Sequence, residues 1–257
     1  MAWSLINNFQ LAAASTSPIT FSTLSGIAIG DLLVVMPFGA SGDITATVAI
    51  TDNASSPNTY TKEKAQYLGA DGVFASKFSA PILNVTSLTS VMMSWSGGGS
   101  LSIDCLVEQW RNNQGSINSS PISGTPAGNT QQSVNGTDAV FSGNTTPAVN
   151  GCLIHGFGVA SNTLNTGTGY TTGVQWTVPN MYTEYKTQAV AAAVQATFTT
   201  VGTLDAFSFV TAYAPPSVGP GGPGVIISIS GADNQNLLSL WNPNNDGIAV
   251  ISKISHT

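Results

Sequence analysis

Apolar and polar residues alternate with period two along several short segments of the chain. Residues 44–50 place apolar side chains at every second position, and residues 101–108 repeat that pattern. Because neighbouring side chains of a strand point to opposite faces of the sheet, each segment is predicted to be a strand with one buried face. In the second segment Cys105 lies on the buried face, and Asp104 and Glu108 are expected to face outward.

Further strand-like runs lie along the rest of the chain. The uninterrupted apolar run at residues 32–36 indicates a strand buried on both faces. Others cover residues 90–95, 151–159, 169–178 and 204–213. Turn residues separate these runs at intervals of about ten positions, and no segment shows a convincing helical pattern. The pattern predicts an all-β protein, with an antiparallel β-sandwich of jelly-roll type over residues 1–214 and a long loop at 114–136.

A second region begins after residues 215–224, which hold four prolines and four glycines and are therefore predicted to be a linker. Residues 225–257 contain three strand-like runs, predicting a small β-unit. A three-stranded unit rarely stabilises itself in water, so it must pack on the main sandwich or on another chain, and we favour another chain. Its predicted assembly interface consists of Leu238, Leu240, Trp241 and Ile251, with Trp241 as the main anchor.

Charged residues make up only 7% of the chain, against about 25% in an average domain. The six lysines and arginines are scattered, and the formal net charge is −6. Without a basic stripe, we expect neither nucleic acid nor an anionic membrane surface as a partner. Apolar runs also fall short of the roughly 20 residues that a membrane-spanning helix needs, so membrane insertion is not expected.

Residues that carry chemistry are scarce. The two histidines, His155 and His256, belong to no recognised nucleophile, zinc or phosphate motif. Asp104 and Glu108 lie roughly 13 Å apart along one strand, which is too far for a glycoside-hydrolase carboxylate pair. We therefore predict no catalytic residue, no cofactor and no enzymatic activity. Polysaccharide hydrolysis through Glu108 is the third-ranked alternative.

Two further features leave alternatives open. The pairs at 52–53 and 233–234, Asp-Asn in each case, offer oxygen ligands for calcium but form turns equally well, so no metal site is predicted. Cys105 and Cys152 lie in separate apolar segments, and two buried thiols are favoured over a disulfide. Alternation places Trp110 outward beside Glu108, so these two residues are predicted to face a ligand, with a glycan as the candidate.

Short motifs resemble β-sandwich proteins on the virion surface of tailed phages. The resemblance rests on GDLLVV at 30–35, VAITDN at 48–53, NTYT at 58–61, VEQW at 107–110 and GYT at 169–171, with LSLWNP at 238–243. It covers about residues 3–213 in addition to this last motif. It implies a jelly-roll-like head-decoration or tail-fibre protein and transfers no catalytic residue.

The composition also favours a virion component. Neutral polar residues in place of charged ones are typical of extracellular proteins, yet the first residues lack the basic region of a signal peptide. A virion protein, assembled in the host cytoplasm and released by lysis, reconciles these observations. Its expected partners are other virion proteins, copies of itself and, for adhesion, a host glycan. The alternative hypothesis is a secreted carbohydrate-binding module or adhesin.

Overall fold

All regular elements described in the structure are β-strands, and all of them pair in antiparallel fashion. The structure is a computed structural model that describes residues 3–14, 16–22, 24–40, 42–69, 71–97, 102–115, 117, 119–134, 139–177, 180–200, 204–216, 227–230, 236–241 and 248–251. The all-β, sandwich-type prediction is confirmed. Two compact units make up the chain, Met1–Pro216 and Ser217–Thr257.

The first eight described strands form one sandwich, which we call sandwich 1. A five-stranded sheet in the order β1-β8-β3-β6-β5 faces a three-stranded sheet in the order β2-β7-β4. The strands are β1 (Trp3–Ala14), β2 (Ile19–Ser22), β3 (Leu32–Ala40), β4 (Ala49–Asp52), β5 (Thr61–Leu68), β6 (Val73–Pro81), β7 (Ser90–Ser94) and β8 (Ser102–Asn112).

The next eight described strands repeat this arrangement as sandwich 2. Its five-stranded sheet has the order β9-β16-β11-β14-β13, and its three-stranded sheet has the order β10-β15-β12. The strands are β9 (Ala127–Val134), β10 (Ala139–Phe141), β11 (Cys152–Ala160), β12 (Leu164–Asn165), β13 (Thr171–Trp176), β14 (Met181–Gln188), β15 (Thr197–Thr200) and β16 (Leu204–Tyr213). Adding eight to each strand number of sandwich 1 gives the strand at the equivalent place in sandwich 2.

Local irregularities repeat as well. The pairing of β5 with β6 shifts between Lys62 and Lys64, and the equivalent pairing of β13 with β14 shifts between Thr172 and Gln175. Such shifts mark β-bulges, which bend an edge strand and protect it from pairing with other chains. The region expected to hold one sandwich therefore contains two, with the same topology.

Apolar side chains fill three successive layers between four stacked sheets. One layer lies inside sandwich 1 and another inside sandwich 2. The third joins the two five-stranded sheets and includes Leu32, Val34 and Met36 of β3. Because Leu33 and Val35 of the same strand point into sandwich 1, β3 is buried on both faces, as the sequence predicts.

The two five-stranded sheets meet with their edge strands aligned. β1 contacts β13, and β5 contacts β9. In sandwich 2, β13 is the equivalent of β5 and β9 is the equivalent of β1. Each sandwich thus offers the same pair of edges to the other, which is the relation that a two-fold axis produces in a homodimer.

Two local expectations were wrong. Residues 44–50 do not form one strand, because Thr47 and Val48 donate backbone hydrogen bonds to the Ile44 carbonyl and make a turn before β4. The predicted loop at 114–136 contains β9. Cys105 and Cys152 are both buried free thiols, as expected.

The strands described in the C-terminal unit are β17 (Ile227–Ser230), β18 (Asn236–Trp241) and β19 (Ile248–Ile251), in the sheet order β17-β18-β19. The β18–β19 ladder pairs Leu238 with Ile251, Leu240 with Ala249 and Trp241 with Ile248. The side chains of the predicted assembly interface lie outside the described part of the structure. Its role in docking stays a prediction.

Candidate functional site

Glu108 and Trp110, predicted to face a ligand from the surface of β8, are both completely buried. The expectation that they point to solvent was wrong because sandwich 2 covers that face of the sheet. Trp110 packs edge-on against Tyr185 of β14, with the ring centroids 4.8 Å apart. Neither side chain lies on an open binding surface.

Glu108 is instead the centre of a hydrogen-bonded group between the two sandwiches. Its Oε1 accepts a hydrogen bond from the Thr183 hydroxyl at 2.5 Å, and its Oε2 lies 2.7 Å from Nε2 of His155. The indole Nε1 of Trp110 donates to the same Oε2 at 2.8 Å. The carboxylate of sandwich 1 therefore has two partners in sandwich 2.

Lys77 and Glu63 form a second buried group beside it. The Lys77 ammonium lies 3.4 Å from Oε2 of Glu63 and donates to the His155 carbonyl at 3.0 Å. Glu63 accepts hydrogen bonds from the Tyr213 and Thr211 hydroxyls at 2.6 and 2.5 Å. We call the two groups together the buried polar cluster; its members are Glu63, Lys77, Glu108, Trp110, His155, Thr183, Thr211 and Tyr213.

Burial and hydrogen bonding set the protonation of the cluster. Burial would raise the pKa of Glu108, but His155 and the Thr183 and Trp110 hydrogen bonds outweigh it, so this pKa is lowered. Burial and the nearby Lys77 cation lower the pKa of His155. A neutral His155 with its proton on Nε2 satisfies Glu108 and leaves Nδ1 deprotonated. That tautomer agrees with Nδ1 being buried without a hydrogen-bond partner among the described residues.

A histidine beside a carboxylate resembles a general base, but the cluster is sealed. The side chains of Glu108, His155, Lys77 and Glu63 are all 0% exposed. No substrate can reach them without separating the two sandwiches. Because every charged member bonds across the layer, the arrangement fixes the position of one sandwich on the other.

The Asp52 loop does not present calcium ligands. Both carboxylate oxygens of Asp52 accept hydrogen bonds, from the Ala54 and Asn58 backbone amides, the Asn58 side chain and the Tyr60 hydroxyl. These bonds tie the loop together and use the lone pairs that a cation would need. Among the described residues no group of three or more metal-binding side chains occurs. Asp233 and Asn234 lie outside the described residues.

Two open clefts lie on the surface of the individual sandwiches. A cleft of about 340 Å³ on sandwich 1 is lined by Ile29, Asn112, Asn113 and the Asp31–Arg111 ion pair. A cleft of about 310 Å³ on sandwich 2 contains Lys186, whose ammonium lies 4.2 Å from the centre of the Tyr170 ring. Both are open; the cleft on sandwich 2 is largely polar, whereas the cleft on sandwich 1 has a mixed polar and apolar lining.

A third cleft opens between the two sandwiches at one end of their contact. Its volume is about 140 Å³, and its lining is mostly apolar, with Asp71 and Asp205 at the rim. Desolvation and the neighbouring Asp205 carboxyl raise the pKa of Asp71. We call it the Asp71–Asp205 cleft.

No family model, curated protein or solved structure matches the chain. The described residues contain no helix of the length and apolar character required to cross a bilayer.

The buried polar cluster was not found by sequence reasoning. Alternation along residues 101–108 shows that β8 has two faces, but not that the second face is covered by protein. The signal that was present is the order of residues 73–81, where alternation places Lys77 and Ser79 on the face of the strand opposite Phe74 and Phe78. A lysine at the centre of a strand so poor in charge indicates an acidic partner from elsewhere in the fold.

Proposed function

We propose that the protein is a structural component of a virion surface, of the head-decoration or tail-fibre type, and that it acts by assembling with other proteins. The observation that supports this most is the distribution of charge. Asp31, Asp52, Lys77, Glu108 and Glu184 are all buried in a chain that has few charged residues. The remaining surface is rich in neutral polar groups, and the centres of protein interfaces are depleted in charge in the same way.

The double sandwich suits such a role mechanically. Three apolar layers and the buried polar cluster join sixteen described strands into one unit. The C-terminal unit is the proposed contact with a neighbour, through Leu238, Leu240, Trp241 and Ile251. Its strands would pack on a neighbouring copy or extend a sheet of that copy.

The experiment measures the oligomeric state of the full-length protein and its presence in particles. We expect a stable oligomer by light scattering, and we expect the protein in the mass-spectrometric inventory of purified virions. Leu240→Ser/Trp241→Ser should shift the oligomer to monomer. Val190→Ser, which changes an apolar side chain 65% exposed on sandwich 2, is the control and should leave the oligomer intact. A monomeric parent protein that is absent from particles would refute the proposal.

Carbohydrate binding is the second candidate function. Trp110 is completely buried and is therefore not part of the candidate site. Its remaining support is the cleft at Arg111, Asn112 and Asn113, because amide and guanidinium groups beside an apolar residue such as Ile29 are suited to sugar hydroxyls and carbon faces. A glycan screen tests it. Binding that is lost in Asn113→Leu but kept in Asn144→Leu, at the Lys186 cleft, would favour this function over assembly alone.

A further inference from the structure

A lysine with unused hydrogen-bond donors lies in the cleft of about 310 Å³ on sandwich 2, the Lys186 cleft. Its ammonium lies 4.2 Å from the centre of the Tyr170 ring. The Tyr170 hydroxyl donates to the Gln195 carbonyl at 2.6 Å, which fixes the ring. Among the described residues, none accepts a hydrogen bond from Lys186. The three N–H groups of the ammonium are therefore available to a ligand.

The Glu184 carboxyl group, which acts electrostatically on Lys186, is engaged elsewhere. Its Oε2 accepts a hydrogen bond from the Gly167 amide at 2.7 Å, and its Oε1 accepts one from the Thr197 amide at 2.8 Å. Both oxygens of Glu184 are thus bonded to backbone groups. The lysine keeps its capacity to bind an anion from outside the protein.

Lys62 of sandwich 1 shows the opposite situation. Its ammonium also lies over an aromatic ring, 6.0 Å from the centre of Phe78. It donates, however, to the Thr45 and Ala46 carbonyls at 3.0 and 3.2 Å. The donors of Lys62 are used within the protein, whereas those of Lys186 are not. Lys62 is therefore a matched control for Lys186.

The two sandwiches differ at the position of this lysine. The strand ladders place Ala80 of sandwich 1 at the position that Lys186 has in sandwich 2. The connection before the neighbouring edge strand also differs, since residues 53–60 join β4 to β5 and only residues 166–170 join β12 to β13. Sandwich 2 therefore combines a shorter connection with a cation, next to an open cleft.

In sandwich 1 the longer connection carries a carboxamide that bonds across to the next loop. Oδ1 of Asn58 accepts hydrogen bonds from the backbone amides of residues 83–84 at 2.8 and 2.9 Å. Its Nδ2 and the hydroxyl of Tyr60, the equivalent of Tyr170, both donate to Oδ2 of Asp52. A carboxylate has the same planar shape as a carboxamide. We therefore expect a ligand carboxylate to suit the equivalent place in sandwich 2, where a cation replaces alanine.

The cleft has room for more than a carboxylate. A cavity of about 150 Å³ holds a benzene-sized group. At about 310 Å³ the Lys186 cleft has about twice that volume, which is enough for a pyranose ring with its substituents. Four further polar side chains line it and can bond the hydroxyls of such a ring, namely Asn144, Thr168, Gln195 and Thr197.

We propose that the Lys186 cleft binds a hexuronate, the carboxylate-bearing sugar of an acidic polysaccharide. The Lys186 ammonium donates to the carboxylate of the sugar, and the Thr168 and Asn144 side chains bond its ring hydroxyls. That the polysaccharide belongs to a host surface rests on the proposed function, whereas the chemistry of the cleft does not depend on it.

The test is a titration of the full-length protein with sodium glucuronate, followed through the methyl NMR signals of Ala193 and Val194, which line the cleft. We expect saturable shifts with a Kd of about 1–10 mM. Lys186→Met, which replaces the cation with an apolar group, should raise the Kd at least tenfold. Lys62→Met, which removes the same charge from sandwich 1, should not change it. An unchanged Kd in Lys186→Met would refute the proposal.

Two further ligands distinguish the other possible occupants. Glucose keeps the ring without the carboxylate, and acetate keeps the carboxylate without the ring. Each should bind at least tenfold more weakly than glucuronate. Equal affinity for glucose would mean a site for neutral sugars. Equal affinity for acetate would mean a site for any carboxylate, including an acidic side chain of a partner protein; either result overturns the proposal.

Two variants separate this site from the candidate glycan site on sandwich 1. Asn144→Leu should weaken glucuronate binding and Asn113→Leu should not, which is the reverse of the pattern expected for a glycan bound at Asn113. Failure here leaves the assembly experiment untouched. Conversely, glucuronate binding by a protein absent from particles would retain the site and refute the virion function.

Discussion

At equivalent points of their ladders, the facing sheets of sandwich 1 and sandwich 2 carry different side chains. Glu108 of β8 pairs with Val34 of β3, and the same rung in sandwich 2 pairs Thr211 of β16 with His155 of β11. The charged or titratable group thus lies on β8 in sandwich 1, but on β11, the equivalent of β3, in sandwich 2. The two sheets have the same topology and opposite polar patterns.

Contacts between the sheets nevertheless obey the two-fold relation. Trp110 of sandwich 1 lies against Tyr185, and its equivalent Tyr213 of sandwich 2 lies beside Ser79, the equivalent of Tyr185. The backbone arrangement is therefore symmetric while the chemistry is not. Glu63, Lys77 and Glu108 all come from sandwich 1, and sandwich 2 contributes neutral hydroxyls and His155. Because of this difference, the facing surface of sandwich 2 is complementary to that of sandwich 1 and not identical to it.

Loss of the Glu108 carboxylate should have the largest effect on this contact. Glu108→Ala leaves His155, Thr183 and the Trp110 indole without their acceptor in a sealed layer. We expect the free energy of unfolding to fall by about 3–5 kcal/mol. Urea denaturation followed by tryptophan fluorescence measures it. Asp43→Ala, an exposed control, should cost about 1 kcal/mol or less, and an equal loss in both variants would contradict the role of the cluster.

Lys77→Met should have a somewhat smaller effect. It keeps the length of the side chain but leaves Glu63 buried without its cation, and the Tyr213 and Thr211 hydroxyls remain as partners. We expect a loss of about 2–4 kcal/mol by the same measurement. Adding Glu63→Gln should restore part of this loss, because the unpaired charge is removed. If the loss in the double variant equals the sum of the losses in Lys77→Met and Glu63→Gln, the two residues do not interact.

Acid should weaken the contact through His155. Its pKa is lowered in the folded protein, below the ordinary value of 6.5, so the unfolded chain binds the proton more readily. Stability is therefore full above pH 6.5 and falls as the pH drops below it, by up to about 1.4 kcal/mol per pH unit. Glu108, whose pKa is also lowered, adds a loss below about pH 4.5. Glu184, whose pKa is raised by burial, adds stability as the pH falls through its raised pKa towards 4.5, and so offsets part of the His155 loss.

The contribution of His155 is isolated by comparing the protein with His155→Gln, which retains a side-chain N–H for Glu108. Between pH 7 and pH 5, the free energy of unfolding should change less with pH in the variant than in the parent protein. Identical slopes would mean that another group causes the acid sensitivity.

The smallest effect is expected at the surface. Because so many charged side chains are buried, added salt has few exposed charges to screen. In the ion pair of Arg111 with Asp31, only the arginine side chain is exposed. Raising NaCl from about 0.05 to 0.5 M should change the free energy of unfolding by less than about 0.5 kcal/mol. A larger salt dependence would show that exposed charges contribute more to the stability than the burial of charged side chains implies.

Strand positions were largely predictable from the sequence, whereas the stacking of the sheets was not. β16 has the predicted bounds, Leu204–Tyr213, because its alternation is long and regular. Alternation could not decide whether the second face of β8 meets water or another sheet, which is why Glu108 and Trp110 were placed outside. The duplication was equally hidden, since equivalent positions hold residues as different as Val34 and His155.

The most direct test of the account is the coupling between Glu108 and His155, measured by unfolding Glu108→Ala, His155→Ala and the double variant. If the carboxylate of sandwich 1 and the imidazole of sandwich 2 stabilise the contact together, the sum of the two single losses in free energy of unfolding will exceed the loss in the double variant by about 1–3 kcal/mol. Losses that add to within about 0.5 kcal/mol would contradict it, and the sandwiches would then be joined by apolar packing alone.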